Sequence, residues 1–274
     1  MMKAAAVFLI ALCLLLGLGP LAVSHGYAAQ DRDRILSGPD AEHWLGTDAL
    51  GRDNFARFVH GGRLSVIMAA LAALTACGVA AAIGTAGAFG GAGRTLSAVA
   101  FDVMLSTPWY LLVFLVRAVL PLDAPPMATA ALTFAILGLV GWAHGARVVR
   151  DAVVEMAGGP WVRQARATGC GGLALWSGHI IPNLRPLLLT QFLLLLPALM
   201  LSEATLGMLG LGVPEPLPSW GGSLVELTQP GTLTQRPWTL LPALLLALTS
   251  ISLRLLAGGV PGPRHTERKE VLCG

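Results

Sequence analysis

Lysine is almost absent from this chain of 274 residues, which contains only Lys3 and Lys269. Neither lies in a Gly-x-x-x-x-Gly-Lys-Ser/Thr loop, so the chain carries no P-loop ATPase of its own. Cysteine is also scarce, and no paired spacing indicates a disulfide framework or a metal cluster. The four cysteines are scattered, at Cys13, Cys77, Cys170 and Cys273.

Charged side chains are few as well, at 12% of the residues, whereas 55% of the residues are hydrophobic. A soluble domain typically carries about 25% charged residues. This much apolar surface cannot all be buried in one soluble core, so the composition predicts an all-α, polytopic transmembrane helical bundle. The net charge of +3, without basic runs that contain aromatic residues, does not support nucleic-acid binding.

Apolar runs predict about six membrane-spanning helices, the first of them at residues 4–23. The small residues Ala28 and Ala29 would also suit a cleaved signal peptide, but a run of about twenty residues is longer than a signal core and favours a retained helix. The other predicted spans are residues 64–89, 96–119, 127–146, 184–201 and 238–256.

These spans predict the organisation of the chain. Arginine and lysine are enriched in the proposed inner segments, except for the first outer loop, which supports cytoplasmic N- and C-termini. The predicted parts are a first transmembrane helix (1–23), an extracytoplasmic segment (24–62), a core with five further spans (63–259) that includes a cytoplasmic loop (147–183), and a cytoplasmic tail (260–274).

Residues 159–183 form the longest basic interval between spans. Pro160 suits a first helical turn, and Gly169 suits the end of a short helix over residues 161–168. A second short helix over residues 173–180 is predicted to stop at Pro182. Two short helices around a glycine elbow would form a compact knob that docks onto a partner outside the membrane; an ordinary surface helical hairpin is the alternative.

This interval resembles the cytoplasmic coupling loop of bacterial ABC-importer permeases. The similarity is carried by Gln164-Ala-Arg-Ala-Thr-Gly169 and by His179-Ile-Ile-Pro-Asn183. The glutamate of the family motif falls at Arg163, so the start of the motif is not kept. The resemblance implies that the loop contacts a separate ATPase through Trp161, Arg163, Gln164, Ala165, Arg166, Ala167, Gly169, Ile180 and Pro182.

A second pattern lies in the extracytoplasmic segment. Two turns, with Asp53 as N-cap, precede a short helix that could rest at the membrane surface, but local chemistry alone favours a capped connecting loop. The order His-x-Leu-Gly-Thr-Asp-x-x-Gly-Arg-Asp, followed by Gly-x-Arg-x-Ser, closely resembles the signature of the dipeptide, oligopeptide and nickel branch of these permeases. Its residues here include His43, Gly46, Thr47, Asp48, Gly51, Arg52, Asp53 and Arg63.

Several residues in or beside the spans are candidates for the translocation pathway or its gate. Asp102 would cost about 2.5–3.5 kcal/mol at the centre of a bilayer, so we expect it to face the bundle, paired with an arginine such as Arg94. Glu203 could hydrogen-bond the backbone at a bend or line the pathway. The candidates are Asp102, Pro108 as a kink, Glu203, Gly210, Gly212 and Trp220.

The resemblance implies a permease subunit that forms half of a translocation pathway for peptides, in the inner membrane of a bacterial cell. It implies a sister permease, two ABC ATPase subunits and an extracytoplasmic solute-binding protein as partners. The chain itself is expected to be non-catalytic and to bind no cofactor or metal, since ATP and Mg are used by the ATPases. A nickel importer is the alternative within the family, and an intramembrane enzyme is a distant one.

Overall fold

The computed structural model of the chain describes residues 1–23, 26–88, 92–108, 111–112, 114–115, 124–169 and 176–261. Within these ranges every regular element is helical, and one isolated antiparallel bridge joins Thr47 to Asp53. The predicted all-α fold class is therefore confirmed.

The helices follow one another along the chain with short connections. A 3₁₀ turn, Gly19–Ala22, extends the first helix, and a π-helical turn, Trp176–Ile180, leads into the seventh. Two further 3₁₀ turns, Glu226–Thr228 and Pro237–Leu240, flank the ninth helix. The α-helices are α1 Met2–Leu18, α2 Asn54–Ala88, α3 Ala92–Ser106, α4 Pro126–Val140, α5 Trp142–Ala157, α6 Pro160–Ala167, α7 Ile181–Met208, α8 Trp220–Val225, α9 Thr232–Gln235 and α10 Leu241–Ala257.

Five helical segments in the described part of the chain are long and apolar enough to cross a membrane. The predicted third span, residues 96–119, extends into residues that lie outside the described ranges. Its described helix, α3, ends at Ser106, two residues before Pro108, because proline lacks the N–H that a continuing helix requires. The five segments are Met2–Ala22, Asn54–Ala88, Pro126–Ala157, Ile181–Met208 and Pro237–Ala257.

Helix α2 is the longest helix and the centre of the bundle. The N–H of Phe55 donates to Asp53 Oδ1 (2.9 Å), which confirms Asp53 as the cap of this helix. The expectation of a separate short helix at the membrane surface was wrong, because α2 continues through Gly61 and Gly62 into the span. These glycines allow close packing, since a Cβ on Gly62 would lie 2.5 Å from Trp220 Nε1.

Small residues bring the other helices close to α2. A Cβ on Gly84 would lie 2.5 Å from the backbone oxygen of Ala146 in α5, and a Cβ on Gly138 would lie 2.7 Å from that of Ala72. Helices in lipid associate through such close packing rather than through hydrophobicity, which explains the alanine- and glycine-rich sequence of α2. Helices α1, α4, α5, α7 and α8 all contact α2.

Candidate functional sites

The turn that precedes α2 is held together by Asp48. One carboxylate oxygen of Asp48 accepts hydrogen bonds from the backbone N–H groups of Leu50 (2.8 Å) and Arg52 (2.9 Å), and the other accepts from Arg52 Nε (2.6 Å). Gly51 has a φ of +74°, and a Cβ there would lie 1.9 Å from the backbone oxygen of Asp31. The turn therefore requires glycine at this position.

Glu215 joins this turn to the connection between α7 and α8. Arg52 Nη1 lies 2.6 Å from Glu215 Oε2, and Arg57 Nη2 lies 3.0 Å from Glu215 Oε1. Burial opposes the charge of Arg52, but hydrogen bonds to Glu215 and Asp48 outweigh it and raise the pKa of Arg52. Asp48, Arg52, Arg57 and Glu215 form what we call the outer charge cluster, which has two charges of each sign.

The other signature residues fold the predicted extracytoplasmic segment onto itself. The Thr47 hydroxyl donates to the backbone oxygen of Arg34 and accepts from the N–H of Ser37, which lies 2.9 Å away. His43 and Asp53 are buried, with His43 Nδ1 3.9 Å from Asp53 Oδ1. This arrangement gives His43, Thr47 and Asp53 structural contacts within the segment.

Of the two remaining signature residues, Gly46 lies in a tight turn and Arg63 lies on the surface. Gly46 has a φ of +64°, and a Cβ there would lie 2.3 Å from the backbone oxygen of Ser37, so this position also requires glycine. Arg63, by contrast, is exposed on the surface of α2 and lies outside the outer charge cluster.

Glu203 is buried near the end of α7, with 1% of its surface exposed. The Ser219 hydroxyl donates to its carboxylate (2.8 Å), which also lies close to the backbone N–H groups of Val213 and Gly221. Ser219 in turn accepts from the N–H of Gly222 and caps α8. Glu203 is therefore attached to the bend through Ser219, and its part in the pathway stays a prediction.

Trp220 connects this bend to α2. Its indole Nε1 donates to the backbone oxygen of Phe58 (3.0 Å), and its backbone N–H donates to Ser65 Oγ (3.1 Å). The rings of Phe58 and Trp220 stack with their centroids 5.8 Å apart. The signature serine and the downstream tryptophan, far apart in sequence, therefore meet.

The connection that follows α7 depends on two glycines. Gly210 has a φ of +74°, a backbone conformation that glycine adopts without strain. A Cβ on Gly212 would lie 2.6 Å from the Cα of Gly207, so the chain turns back closely on the end of α7. These positions shape the bend above Glu203.

A small pocket lies beside the outer charge cluster, between the start of α2 and the chain around α8. Its polar lining includes Asn54, Arg57, Ser223 and Glu226. Burial raises the pKa of Glu226, and the nearby negative charge of Asp48 adds to the effect, whereas Arg57, Arg236 and Arg52 oppose it. The carboxyl group of Glu226 therefore holds its proton more strongly than an exposed glutamate.

The predicted knob begins as expected. Helix α6 starts at Pro160, and Gly169 follows it with a φ of +85°, as an elbow that ends a helix requires. Val162 is fully buried, whereas Arg163, Gln164 and Ala167 are exposed. The side chains of Trp161, Ala165 and Arg166 lie outside the described residues.

The second half of the knob differs from the prediction. The expected stop at Pro182 was wrong, because the turn Trp176–Ile180 runs directly into α7 and Pro182 lies in the first turn of α7. Proline fits there because the first N–H groups of a helix have no partner within it. Ile180 is buried against Val149, Val153, Met156 and Leu184, and so joins the knob to α5 and α7. Residues 170–175 lie outside the described part.

Residues 55–260 match the family model described as binding-protein-dependent transport system inner membrane component. The chain belongs to this family. The match covers all of the helices from α2 to α10, and with five apolar helices in the described ranges the chain is a multi-pass membrane protein.

Curated members of the family align with most of the chain. The dipeptide transport system permease protein DppC of Alkalihalophilus pseudofirmus is 32% identical over 243 residues, which cover 88% of this chain and 77% of that protein. The oligopeptide transport system permease protein OppC of Bacillus subtilis is 33% identical over 226 residues, covering 81% and 71%. OppC of Mycobacterium tuberculosis is 31% identical over 246 residues, covering 88% and 81%.

Asp102 pairs with a different arginine from the one expected. Its carboxylate accepts from Arg147 of α5 and not from Arg94, the candidate named from the sequence. Arg94 is near in sequence but precedes Asp102 by two turns of the same helix, whereas α5 lies alongside α3. The pair is exposed in the isolated chain, with 73% of the Asp102 side chain and 41% of the Arg147 side chain accessible. Pro108 is also exposed.

Sequence analysis did not single out Arg57 and Glu215 as functional residues. Two signals could have indicated them: an arginine one turn into a capped helix, and an isolated acid between two prolines beside the outer bend. Among the described residues, no group of three or more His, Cys, Asp or Glu side chains could hold a metal ion.

Proposed function

We propose that this chain is a permease subunit of an ATP-driven importer and forms half of a translocation pathway for peptides. The observation that carries the proposal is the agreement, over most of the chain, with relatives named as dipeptide and oligopeptide transport permeases. In this proposal ATP hydrolysis, with its Mg, belongs to two separate ATPase subunits. The other partners are a sister permease and an extracytoplasmic solute-binding protein.

The knob at residues 159–183 is the proposed docking site for an ATPase. Arg163, Gln164 and Ala167 are exposed on α6, while Val162 anchors the same helix by its buried side chain. Helix α6 packs against α5, and Ile180 of the same knob is buried between α5 and α7, so a partner that holds the knob would pull on both of these helices. Movement of the ATPases would therefore reach the membrane helices through packed side chains.

Helix α7 connects the knob to the outer bend. It runs without interruption from Ile181 to Met208, past Pro197, a length of about 42 Å. Its first turn adjoins Ile180, and near its other end Glu203 holds the bend that leads to α8. A tilt of α7 imposed at the knob would therefore move the outer bend, which we assign as the gate. Binding of ATP and of the loaded binding protein would each favour one of two states.

This proposal places the chain in a bacterial inner membrane, with both termini and the knob in the cytoplasm. The outer charge cluster then lies on the extracytoplasmic side, where the solute-binding protein delivers its cargo. A reporter fused after Gly274 would test the orientation, and an extracytoplasmic signal would overturn it.

Reconstituted transport tests the function. The chain is combined in liposomes with a sister permease, ATPases and a binding protein, and ATP-dependent uptake of labelled di- and oligopeptides is compared with uptake of nickel. Peptide uptake that requires ATP supports the proposal. Uptake of nickel without peptides would overturn the choice of cargo, and no ATP-dependent uptake would overturn the importer function.

A pair of variants at the elbow tests the coupling role of the knob. Gly169→Val should uncouple ATP hydrolysis from uptake, because a β-branched residue is strained at a φ of +85°. Gly169→Asn is the matched control, since asparagine tolerates this conformation, and it should retain most of the uptake. Normal uptake by the valine variant, inserted at the wild-type level, would refute the coupling role.

A further inference from the structure

Helices α3 and α5 carry a group of polar side chains on neighbouring faces. Arg147 binds Asp102 across the two helices, and one turn further along α5 Arg150 binds Asp151 (2.9 Å). The guanidinium of Arg150 also lies 5.4 Å from the centre of the Phe101 ring. We call Asp102, Arg147, Arg150, Asp151 and the exposed His144 the polar seam; its four formal charges cancel.

The polar seam begins well inside the apolar part of the bundle. Asp102 lies ten residues after Ala92, so it is about 15 Å along α3 from the start of the helix. Its neighbour Phe101 is fully buried in a cluster with Ala80, which lies eight residues, or about 12 Å, before the end of α2. Residues 64–88 of α2 contain no charged side chain. Asp102 therefore lies at a depth where lipid would surround an uncovered helix.

An exposed ion pair at this depth is unfavourable against hydrocarbon. Ionisable groups inside membranes face the bundle interior or a water-filled cavity, since an aspartate in lipid costs about 2.5–3.5 kcal/mol at the centre. Beside the ion pair, α3 also has an exposed apolar strip that suits lipid, formed by Leu96, Val99 and Val103. The neighbouring side of α3, where Thr95, Asp102 and Ser106 are exposed, is polar and needs water.

We infer that the polar seam lines the water-filled inner part of the translocation pathway. This inference rests on the proposed function, because the pathway is closed only when a sister permease covers this face. A surface with both signs of charge suits solutes that carry an ammonium, a carboxylate and a polar backbone. Short zwitterionic peptides have this chemistry, so the seam provides a polar route for them without a strong binding site.

Thiol labelling tests the position of the seam. Ser106→Cys places a thiol one turn beyond Asp102 on the same side of α3, and His144→Cys places one beside Arg147 on α5. Val103→Cys is the control, since it lies at nearly the same depth as Asp102 but about 100° around α3 from it, on the apolar strip. A charged, membrane-impermeant methanethiosulfonate is added to the assembled transporter in inside-out vesicles, and mass spectrometry locates the label.

We expect Ser106→Cys and His144→Cys to react at least about tenfold faster than Val103→Cys, because the reactive thiolate forms only in contact with water. Trapping the transporter with ATP and vanadate should slow the labelling of Ser106→Cys and His144→Cys, because the inner side of the pathway closes. Failure of Ser106→Cys to react faster than Val103→Cys would overturn the inference, whether the seam faces lipid or is sealed by the sister permease.

Uptake by the same vesicle preparations separates this inference from the proposed function. ATP-dependent peptide uptake together with an unreactive Ser106→Cys would leave the importer function in place and reject the seam as pathway. Reactive Ser106→Cys and His144→Cys variants, together with a wild-type assembly that takes up no peptide, would instead reject the proposed function. The native Cys77, which is buried in α2, provides an internal reference for an inaccessible thiol.

Discussion

Arg52 Nη1 lies 2.6 Å from Glu215 Oε2, although 163 positions separate the two residues in the chain. This contact holds the extracytoplasmic segment against the bend that precedes α8. The segment carries the family signature and the bend carries the gate candidates Gly210, Gly212 and Trp220, so each one limits the movement of the other.

Glu215→Gln should loosen the extracytoplasmic segment. The substitution removes the charge that Arg52 and Arg57 share, and we expect a loss of about 1 kcal/mol, because Glu215 is 61% exposed and solvent screens the pair. The measurements are thermal unfolding in detergent and the rate of proteolysis within residues 26–53. Glu42→Gln, which removes the same charge from an exposed pair with Arg34, is the control and should change neither.

Gly62→Ala should destabilise the contact between α2 and α8. The added Cβ would lie 2.5 Å from Trp220 Nε1 and 2.7 Å from Leu16 Cδ2, so overpacking should cost about 1–3 kcal/mol. Gly78→Ala, in the same helix with open space around it, should be neutral or slightly stabilising. Equal melting temperatures for the two variants would contradict the close packing.

Glu203→Leu should disturb the outer bend more than Glu203→Gln. Leucine leaves the buried Ser219 hydroxyl without its acceptor, at a cost of about 1–3 kcal/mol, whereas glutamine keeps an oxygen in place for it. The melting temperature and the rate of peptide uptake should both fall for the leucine variant and change little for the glutamine variant. Wild-type behaviour of both would show that Glu203 does not hold the bend.

Glu226→Gln should stabilise the protein near neutral pH. Since burial raises the pKa of Glu226, the folded state binds this proton more tightly than the unfolded state, and stability falls as the pH rises above the ordinary glutamate value, about 4.3. The variant should have a higher melting temperature than the wild type at pH 7.5. The difference should disappear below the ordinary glutamate pKa of about 4.3.

Glu155→Gln provides the control for Glu226, because Glu155 is exposed on α5. Its melting temperature should follow that of the wild type across the same pH range. A wild-type pH profile for Glu226→Gln would contradict the buried environment of Glu226.

Local chemistry was enough to predict much of the fold. Apolar runs located the helices, the side chain of Asp53 indicated the start of α2, and Gly169 indicated the end of α6. Local chemistry did not predict where every helix begins and ends. The sequence alone did not show that α2 extends through Gly61 and Gly62, because helical glycines are unfavourable until a neighbouring helix needs the space they leave.

The family resemblance, with the membrane-spanning class, was available from the sequence because short motifs and hydrophobicity are properties of neighbouring residues. Only the tertiary structure decided which distant side chains meet: Arg52 with Glu215, Ser65 with Trp220, and Asp102 with Arg147 instead of Arg94. These partners lie 45 to 163 positions apart. Their pairing depends on how α2, α3, α5 and α7 pack, and packing is set by the shapes of whole helix faces rather than by spacing along the chain.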